Sequence, residues 1–353
     1  LLKIFINLSS KLYNLAFFMY VIAFKGGYMS SIKDVAREAQ VSIATVSRVF
    51  NNPAVVSNQT KTRVYSAAEK LGYTPNFSAK TMRKSIVGTI IVMIPDISNT
   101  FFIDIVRGAQ DYAETRGYNI LMGRFDIHHF DLQKYIKLVK SKAADGIVMA
   151  IGHNRHFAPV AEAKGIPIVT IEEEFMGNPY IYVDNFEAIS EIVEYLISKK
   201  RSQIGFLGFK SERERLLAFK NAITKNNLKY DEELIKKGDE FGEAVYASAR
   251  EYVEAILKIG KIPDAVVCAS DVLAAGVIKW LIKNGLRVPQ DVAVTGFDNI
   301  EVAELVQPGI TTVEQPREIM GREAARLLIN KIEGHEVAKK IAFQTRIVVR
   351  ESA

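Results

Sequence analysis

Residues 31–50, SIKDVAREAQVSIATVSRVF, divide into two short helical patterns about a tight turn. Ile32, Val35, Ala36 and Ala39 share one face of a first helix, roughly Ile32 to Ala39. Val46, Val49 and Phe50 share one face of a second, roughly Ile43 to Phe50. Val41 falls between them, placed to plug a core, and Ser42 has the side chain of an N-cap. The second helix then presents Ile43, Ala44, Thr45, Ser47 and Arg48 outward. Small residues permit close approach, hydroxyls reach phosphates, and one arginine can contact a guanine edge. That is the residue set of a helix-turn-helix whose second helix enters the major groove of DNA. The competing reading is an ordinary surface helix pair whose hydroxyls serve as caps or face solvent.

The residues that follow complete a small all-α unit. Asn51-Asn52-Pro53 reads as a turn, and Ser57 as the cap of a third helix near Asn58 to Leu71. Val64, Ala67, Ala68 and Leu71 form its buried face, and Gly72 ends it. Residues 29–74 are thus expected to form a DNA-binding headpiece and residues 75–86 a hinge; the stretch TPNFSAKTMRK, residues 74–84, shows no core pattern of its own. Charge agrees with this division. Residues 29–84 hold nine lysines and arginines against three acids, whereas residues 85–353 carry a net −3. A basic module on a mildly acidic body is the electrostatic footprint of a nucleic-acid reader joined to something else.

The chain of 353 residues has room for two or three domains. Its one cysteine, Cys268, excludes an internal disulfide framework and a thiolate metal cluster; its apolar surroundings read as a buried strand. Residues 1–28 stand apart. Leu15 to Phe24 is an apolar run too short to span a bilayer, and no small-residue cleavage site follows it. Lys25-Gly26-Gly27-Tyr28-Met29 is compatible with codons forming a purine-rich ribosome-binding sequence ahead of a start codon. Met29 is therefore read as the start and residues 1–28 as an upstream-translated extension, a membrane-associated segment being the alternative.

From Ser85 onward short β-branched runs alternate with amphipathic helical stretches. Strands are expected at Thr89 to Ile94, Tyr118 to Met122, Gly146 to Ile151 and Pro167 to Ile171, with helices near Phe101 to Arg116 and His129 to Ser141 and another between the last two strands. A second set has strands at Ile204 to Leu207, Ala265 to Ala269 and Val292 to Thr295. Repeated β-α units predict parallel sheets covered on both faces. The fold class is therefore α/β: an all-α headpiece, then two similar lobes with a ligand cleft at the carboxyl ends of their strands.

Several motifs carry a resemblance: IKDVAREAQVSIATVSRVFN, LGYTPN, DISNTFF, ADGIVM, SDVLAAG, GLRVPQDVAVTGFDN and TTVEQP. Together they resemble the lactose-repressor family of bacterial transcription regulators from about Ser31 to the end of the chain. Within that family the run from Ile94 to Asn99 resembles both the cytidine-responsive and the catabolite-control branches, while the run from Gln315 to Glu323 is similar to the nucleoside-responsive branch. The resemblance implies a core like that of periplasmic sugar-binding proteins over residues 87–353. Its N-lobe is expected at about 87–184 and 316–340, its C-lobe at about 185–313 and 341–353. It also implies a cytoplasmic homodimer that represses by binding a palindromic operator, with no cofactor or metal, no membrane association and no enzyme activity.

Residue roles follow the same resemblance. Ile43, Ala44 and Arg48 match positions that read bases; Thr45, Ser47 and Asn58 match phosphate-positioning groups. Asn76, Ala79 and Met82 fall in the hinge, where Met82 matches a minor-groove wedge and Ala79 a helix-helix contact. For the effector, Phe101 and Phe102 match ring-stacking aromatics, whose alternative is core packing. Arg215 matches a ligand-anchoring arginine, Asp298 an acceptor of ligand hydroxyls and Glu172 a family carboxylate. Asp271 is expected to cap the following helix while Ser270 faces the cleft. The acids and aromatics together suit a nucleoside or sugar-like effector better than a phosphorylated one.

Three alternatives accompany this reading. A catabolite-control regulator would take a phosphorylated carrier protein on a basic patch, for which Arg107 and Arg116 are the candidates. An exported solute-binding protein would use residues 1–28 as its signal, against the helix-turn-helix. An enzyme would need work from His128, His129, His153 and His156, which lie in polar loops without convergent acids at ligand spacing.

Overall fold

The structure is a computed structural model that describes residues 30–51, 53–73, 86–125, 132–150, 161–210, 213–238 and 243–353. The expectations for residues 1–28, for Asn76, Ala79 and Met82, and for the four histidines lie outside these residues. The chain divides into two compact units, Leu1–Lys84 and Ser85–Ala353.

In the first unit, α1 (Ile32–Glu38) opens with a capping box: the Ser31 hydroxyl accepts from the Asp34 amide while the Asp34 carboxylate accepts from the Ser31 amide. Helix α2 (Ile43–Asn51) starts at Ser42, whose Oγ accepts from the Thr45 amide at 3.1 Å. Helix α3 (Asn58–Lys70) is capped by Ser57. Val35, Ala36, Ala39, Val46, Val49, Val64, Ala67 and Ala68 form the buried core, with Ile32, Val41, Phe50 and Leu71 packed on it. Small and β-branched side chains let three short helices approach closely. The Arg63 guanidinium donates to the carbonyls of Ala39 and Gln40, fixing the turn where Gln40 takes φ +52°.

The second unit holds two six-stranded sheets. In the first, β1 (Thr89–Ile94), β2 (Asn119–Arg124), β3 (Gly146–Ala150), β4 (Ile168–Ile171), β5 (Tyr180–Val183) and the late strand β11 (Lys340–Phe343) run in the order β11-β5-β4-β3-β1-β2, all parallel. Helices α4 (Thr100–Thr115), α5 (Leu132–Lys140) and the late α11 (Arg317–Ile332) cover it. The second sheet uses β6 (Ile204–Phe209), β7 (Ile235–Gly238), β8 (Ala265–Cys268), β9 (Ala293–Asp298), β10 (Thr311–Glu314) and β12 (Arg346–Val348) in the order β12-β10-β9-β8-β6-β7, where only β12 is antiparallel. Its helices are α6 (Asn185–Ser198), α7 (Glu214–Lys225), α8 (Glu243–Lys258), α9 (Asp271–Lys283) and the one-turn α10 (Val302–Leu305). Continuous apolar strands such as TIIVMI are buried on both faces, as parallel sheets require.

The chain crosses between lobes at Asp184, at Gln315-Pro316 and at Gln344-Thr345. The last crossing corrects the expected lobe boundary: β11 keeps residues to Phe343 in the first lobe, beyond the anticipated switch after 340. The helix expected between β3 and β4 falls largely on residues 151–160, outside those the structure describes; the described residues there include a 3-10 turn, Ala161–Ala163. Two glycines set the packing of α4 on α11. A Cβ on Gly108 would meet the Glu318 carbonyl oxygen at 1.9 Å, and one on Gly321 would meet that of Ile105 at 2.0 Å. The two helices therefore cross in backbone contact, which any side chain there would prevent.

Candidate functional site

Helix α2 buries Val46 and Val49 and turns the rest of its first two turns outward. Ile43 is 45 % exposed, Ala44 and Arg48 are exposed, and Thr45 and Ser47 are half-buried. The Thr45 hydroxyl shares a hydrogen bond of 2.9 Å with that of Ser42, so it belongs to the cap as well as to the outer face. Asn58, exposed at the start of α3, accepts from Lys61 Nζ at 3.2 Å.

In the second unit the strand ends bring the candidate effector residues together. Glu172 follows β4, Arg215 opens α7 after β6, Ser270 follows β8, Asp298 ends β9 and Phe101 and Phe102 begin the helix after β1. Every one lies at the carboxyl end of a parallel strand, where open α/β sheets bind ligands. Arg215 is 4 % exposed. Its Nε donates to Asn185 Oδ1 at 3.0 Å, its Nη1 to the Ala269 carbonyl, and its guanidinium carbon sits 3.8 Å above the Phe297 ring centroid. Glu172 of the first lobe and Asp298 of the second approach it at 3.7 and 3.8 Å, ion-pair rather than hydrogen-bond distances. One buried cation is thus shared between carboxylates of both lobes.

The acids here are held away from their ordinary behaviour. Burial pushes the Asp298 carboxyl up to about 6, against the pull of Arg215 and a 2.7 Å hydrogen bond from Gln315 Nε2. Burial also raises Asp271 well above the usual carboxylate range, and the neighbouring Asp298 charge adds to it. Backbone strain marks the same place: Glu172 has φ +83°, Asp298 +108° and Asn299 +51°.

The expected roles of Ser270 and Asp271 are exchanged. Ser270 is the N-cap of α9, its hydroxyl accepting from the Leu273 amide. Asp271 is fully buried and accepts from the Ile300 amide at 2.8 Å and from the Thr312 hydroxyl. The exchange has a physical cause: at the first helical position a carboxylate points back over the strand ends, where the turn after β9 supplies donors. Phe101 and Phe102 are both buried, edge-to-face at 5.1 Å, within the first lobe's apolar cluster beside Ile300. Of the three successive glutamates, Glu172 has a buried side chain, Glu173 is half-buried and Glu174 is exposed, accepting from the Gly177 amide. Arg107 and Arg116 do not form a bare basic patch: Arg107 pairs with Asp104 and Glu318, Arg116 with Glu333.

Sequence reasoning missed Asn185, Phe297 and Gln315. Gln315 is 2 % exposed, and its Oε1 meets no hydrogen-bond partner among the described residues. The motif TTVEQP contained it, but nothing local distinguished a glutamine in a strand-to-helix turn from a solvated one.

Comparison with known proteins fits this architecture. Residues 31–76 match the model of bacterial regulatory proteins of the lacI family, and residues 193–353 match a periplasmic binding protein-like domain. The chain is 38 % identical over 314 residues to the HTH-type transcriptional regulator RegA of Clostridium acetobutylicum, covering 86 % of this chain and 92 % of that protein. It is 33 % identical over 317 residues to the HTH-type transcriptional repressor CytR of Escherichia coli K12, covering 87 % and 91 %. Its fold is similar to that of the lac repressor dimer bound to operator and the anti-inducer ONPF, with a TM-score of 0.80 at 22 % identity over 92 % of this chain and 99 % of that one. The chain belongs to the lacI family of bacterial regulatory proteins. It is a DNA-binding transcription regulator that carries a periplasmic-binding-protein-like effector domain. No helix among the described residues is long and apolar enough to cross a membrane.

Proposed function

We propose that this protein is a repressor that binds a palindromic operator as a homodimer in the cytoplasm and is controlled by a neutral, polyhydroxylated or nucleoside-like effector. One half-site per recognition helix makes a two-fold protein require a palindrome. Ile43, Ala44 and Arg48 contact bases, and Thr45, Ser47 and Asn58 position the phosphates. The hinge residues Asn76, Ala79 and Met82 belong to the same interface. The observation that carries the effector class is the buried Arg215 facing Glu172 and Asp298 across the lobes. Glu172 and Asp298 accept hydroxyls and disfavour a phosphate, while the arginine donates to a carbonyl or ring oxygen. Phe101, Phe102 and Ser270 are the remaining effector candidates at the same strand ends, the two rings packed in the first lobe's apolar cluster and the Ser270 hydroxyl engaged as the α9 cap. Effector and operator each favour one lobe arrangement, so each alters the affinity of the other reciprocally.

Thermal unfolding against nucleosides, sugars and sugar phosphates tests this. A ligand of the folded state raises Tm by mass action. A neutral nucleoside or sugar is expected to stabilise the protein, and Asp298→Ala and Arg215→Ala are each expected to abolish the shift. Stabilisation by sugar phosphates alone would overturn the effector class, and failure to select any palindromic DNA would overturn the operator reading.

A further inference from the structure

The turn that presents Asp298 is tied to the other lobe by a residue outside the ligand contacts. Arg317, at the first position of α11, donates through Nη1 to the Asp298 backbone carbonyl and through Nε to Asp104 Oδ2 on α4 at 2.9 Å. Asp104 in turn holds Arg107 at 3.0 Å, and Arg107 reaches Glu318 at 2.9 Å, closing the network on the helix that carries Arg317. The carbonyl that Arg317 holds belongs to the peptide between Asp298 and Asn299, both at positive φ. Such a turn persists only when its surroundings over-determine it. Here the Ile300 amide donates to Asp271, and the Asn299 side chain accepts from Arg350 at 2.8 Å. Those partners belong to the second lobe, whereas Arg317 and Asp104 belong to the first. At Gly108 and Gly321 the backbones of α4 and α11 pack in direct contact, so a displacement of one helix is felt by the other.

We infer that Arg317 is a positioning residue that couples the Asp298 turn of the C-lobe to the α4–α11 helix pair of the N-lobe, so that effector capture at Asp298 is transmitted as displacement of that pair. The coupling rests on the effector reading given above. An effector hydroxyl that takes over the Asp298 carboxylate competes with Arg215 and Gln315 for it. The strained peptide then reorients, and Arg317 passes the change to both helices. The effect needs two donors in a fixed fork, which lysine lacks.

The test uses the full chain with Arg317→Met, Arg317→Lys and Asp104→Asn, each checked for folding by circular dichroism. Hydrogen exchange without ligand is the first readout. Loss of the tie is expected to speed exchange of the 298–303 segment about tenfold in Arg317→Met, with smaller increases in Arg317→Lys and Asp104→Asn. Faster exchange confined to the first turn of α11 would overturn the tie. Operator affinity with and without cytidine is the second. Wild-type coupling is expected at about tenfold or more. Arg317→Met is expected to bind cytidine within about threefold of wild type while that coupling collapses towards unity; undiminished coupling would overturn the transmission role. Wild-type operator binding indifferent to cytidine, adenosine and ribose would count against the effector reading, and hydrogen exchange would still decide the tie.

Discussion

The recognition helix and the interlobe cleft use arginine in opposite ways. Arg48 stands exposed on a helix whose inner face alone is buried, and its neighbours Ile43 and Ala44 are exposed with it. Arg215 is enclosed, held by Asn185, the Ala269 carbonyl, the Phe297 ring and carboxylates from two lobes. The first arrangement leaves the charge solvated. The second has already removed the charge from water, so its partners must be assembled by folding. An exposed arginine can therefore be altered with little effect on stability, whereas a buried and partnered one is part of the core around it.

The contrast can be broken most directly at Arg215. Arg215→Ala leaves Glu172 and Asp298 buried without their shared cation, and removal of one partner from such a site costs about 3–5 kcal/mol. Urea unfolding measures it; a loss below about 1 kcal/mol, typical of exposed pairs, would mean that the cleft is as wet as the recognition helix. Next in size is Asp298→Asn. The Asp298 carboxyl has its folded pKa at about 6, above the unfolded value of about 3.9. The folded state therefore holds the proton more tightly. The stability this contributes is complete below about pH 4 and is lost as pH rises through about 6. The loss is on the order of 2–3 kcal/mol. Asparagine stays neutral, so the variant should gain on wild type between those limits while losing effector binding; parallel pH curves would show that burial does not govern this group.

Smaller effects sharpen the headpiece side. Ser57→Ala removes the cap of α3 and should lower headpiece stability by about 1 kcal/mol, leaving the unfolding of the core unchanged. Equal loss in both transitions would show the two units unfolding as one. Smallest in stability is Arg48→Ala, expected within about 0.5 kcal/mol of wild type. Its effect lies instead in base discrimination, which should fall by about 1–3 kcal/mol at one operator position. A uniform loss across sequences would reassign Arg48 to phosphate contact.

Legibility in the sequence followed the range of the forces involved. Ser42 and Ser57 were readable as caps because a side-chain oxygen and an amide three residues on are the whole interaction. Strands β1, β3 and β8 stood out as continuous apolar runs. Strands β5, β7, β11 and β12 did not: they are three or four residues long, and their burial is mixed or alternating. The exchange between Ser270 and Asp271 was hidden because both are good capping residues, and the deciding donors, Ile300 and Thr312, lie 29 and 41 residues away.

The sequence by itself determined the helix-turn-helix, the two series of β-α units and the family, since periodicity, capping and motif spacing act over a few residues. Tertiary structure alone decided which side chains meet. It placed Glu172 and Asp298 on either side of Arg215, drew Gln315 and Arg317 into the same neighbourhood and sent β11 back to the first sheet. Burial and electrostatics sum over everything that surrounds a group, so the state of the Asp298 carboxyl exists only once distant strand ends have been brought together.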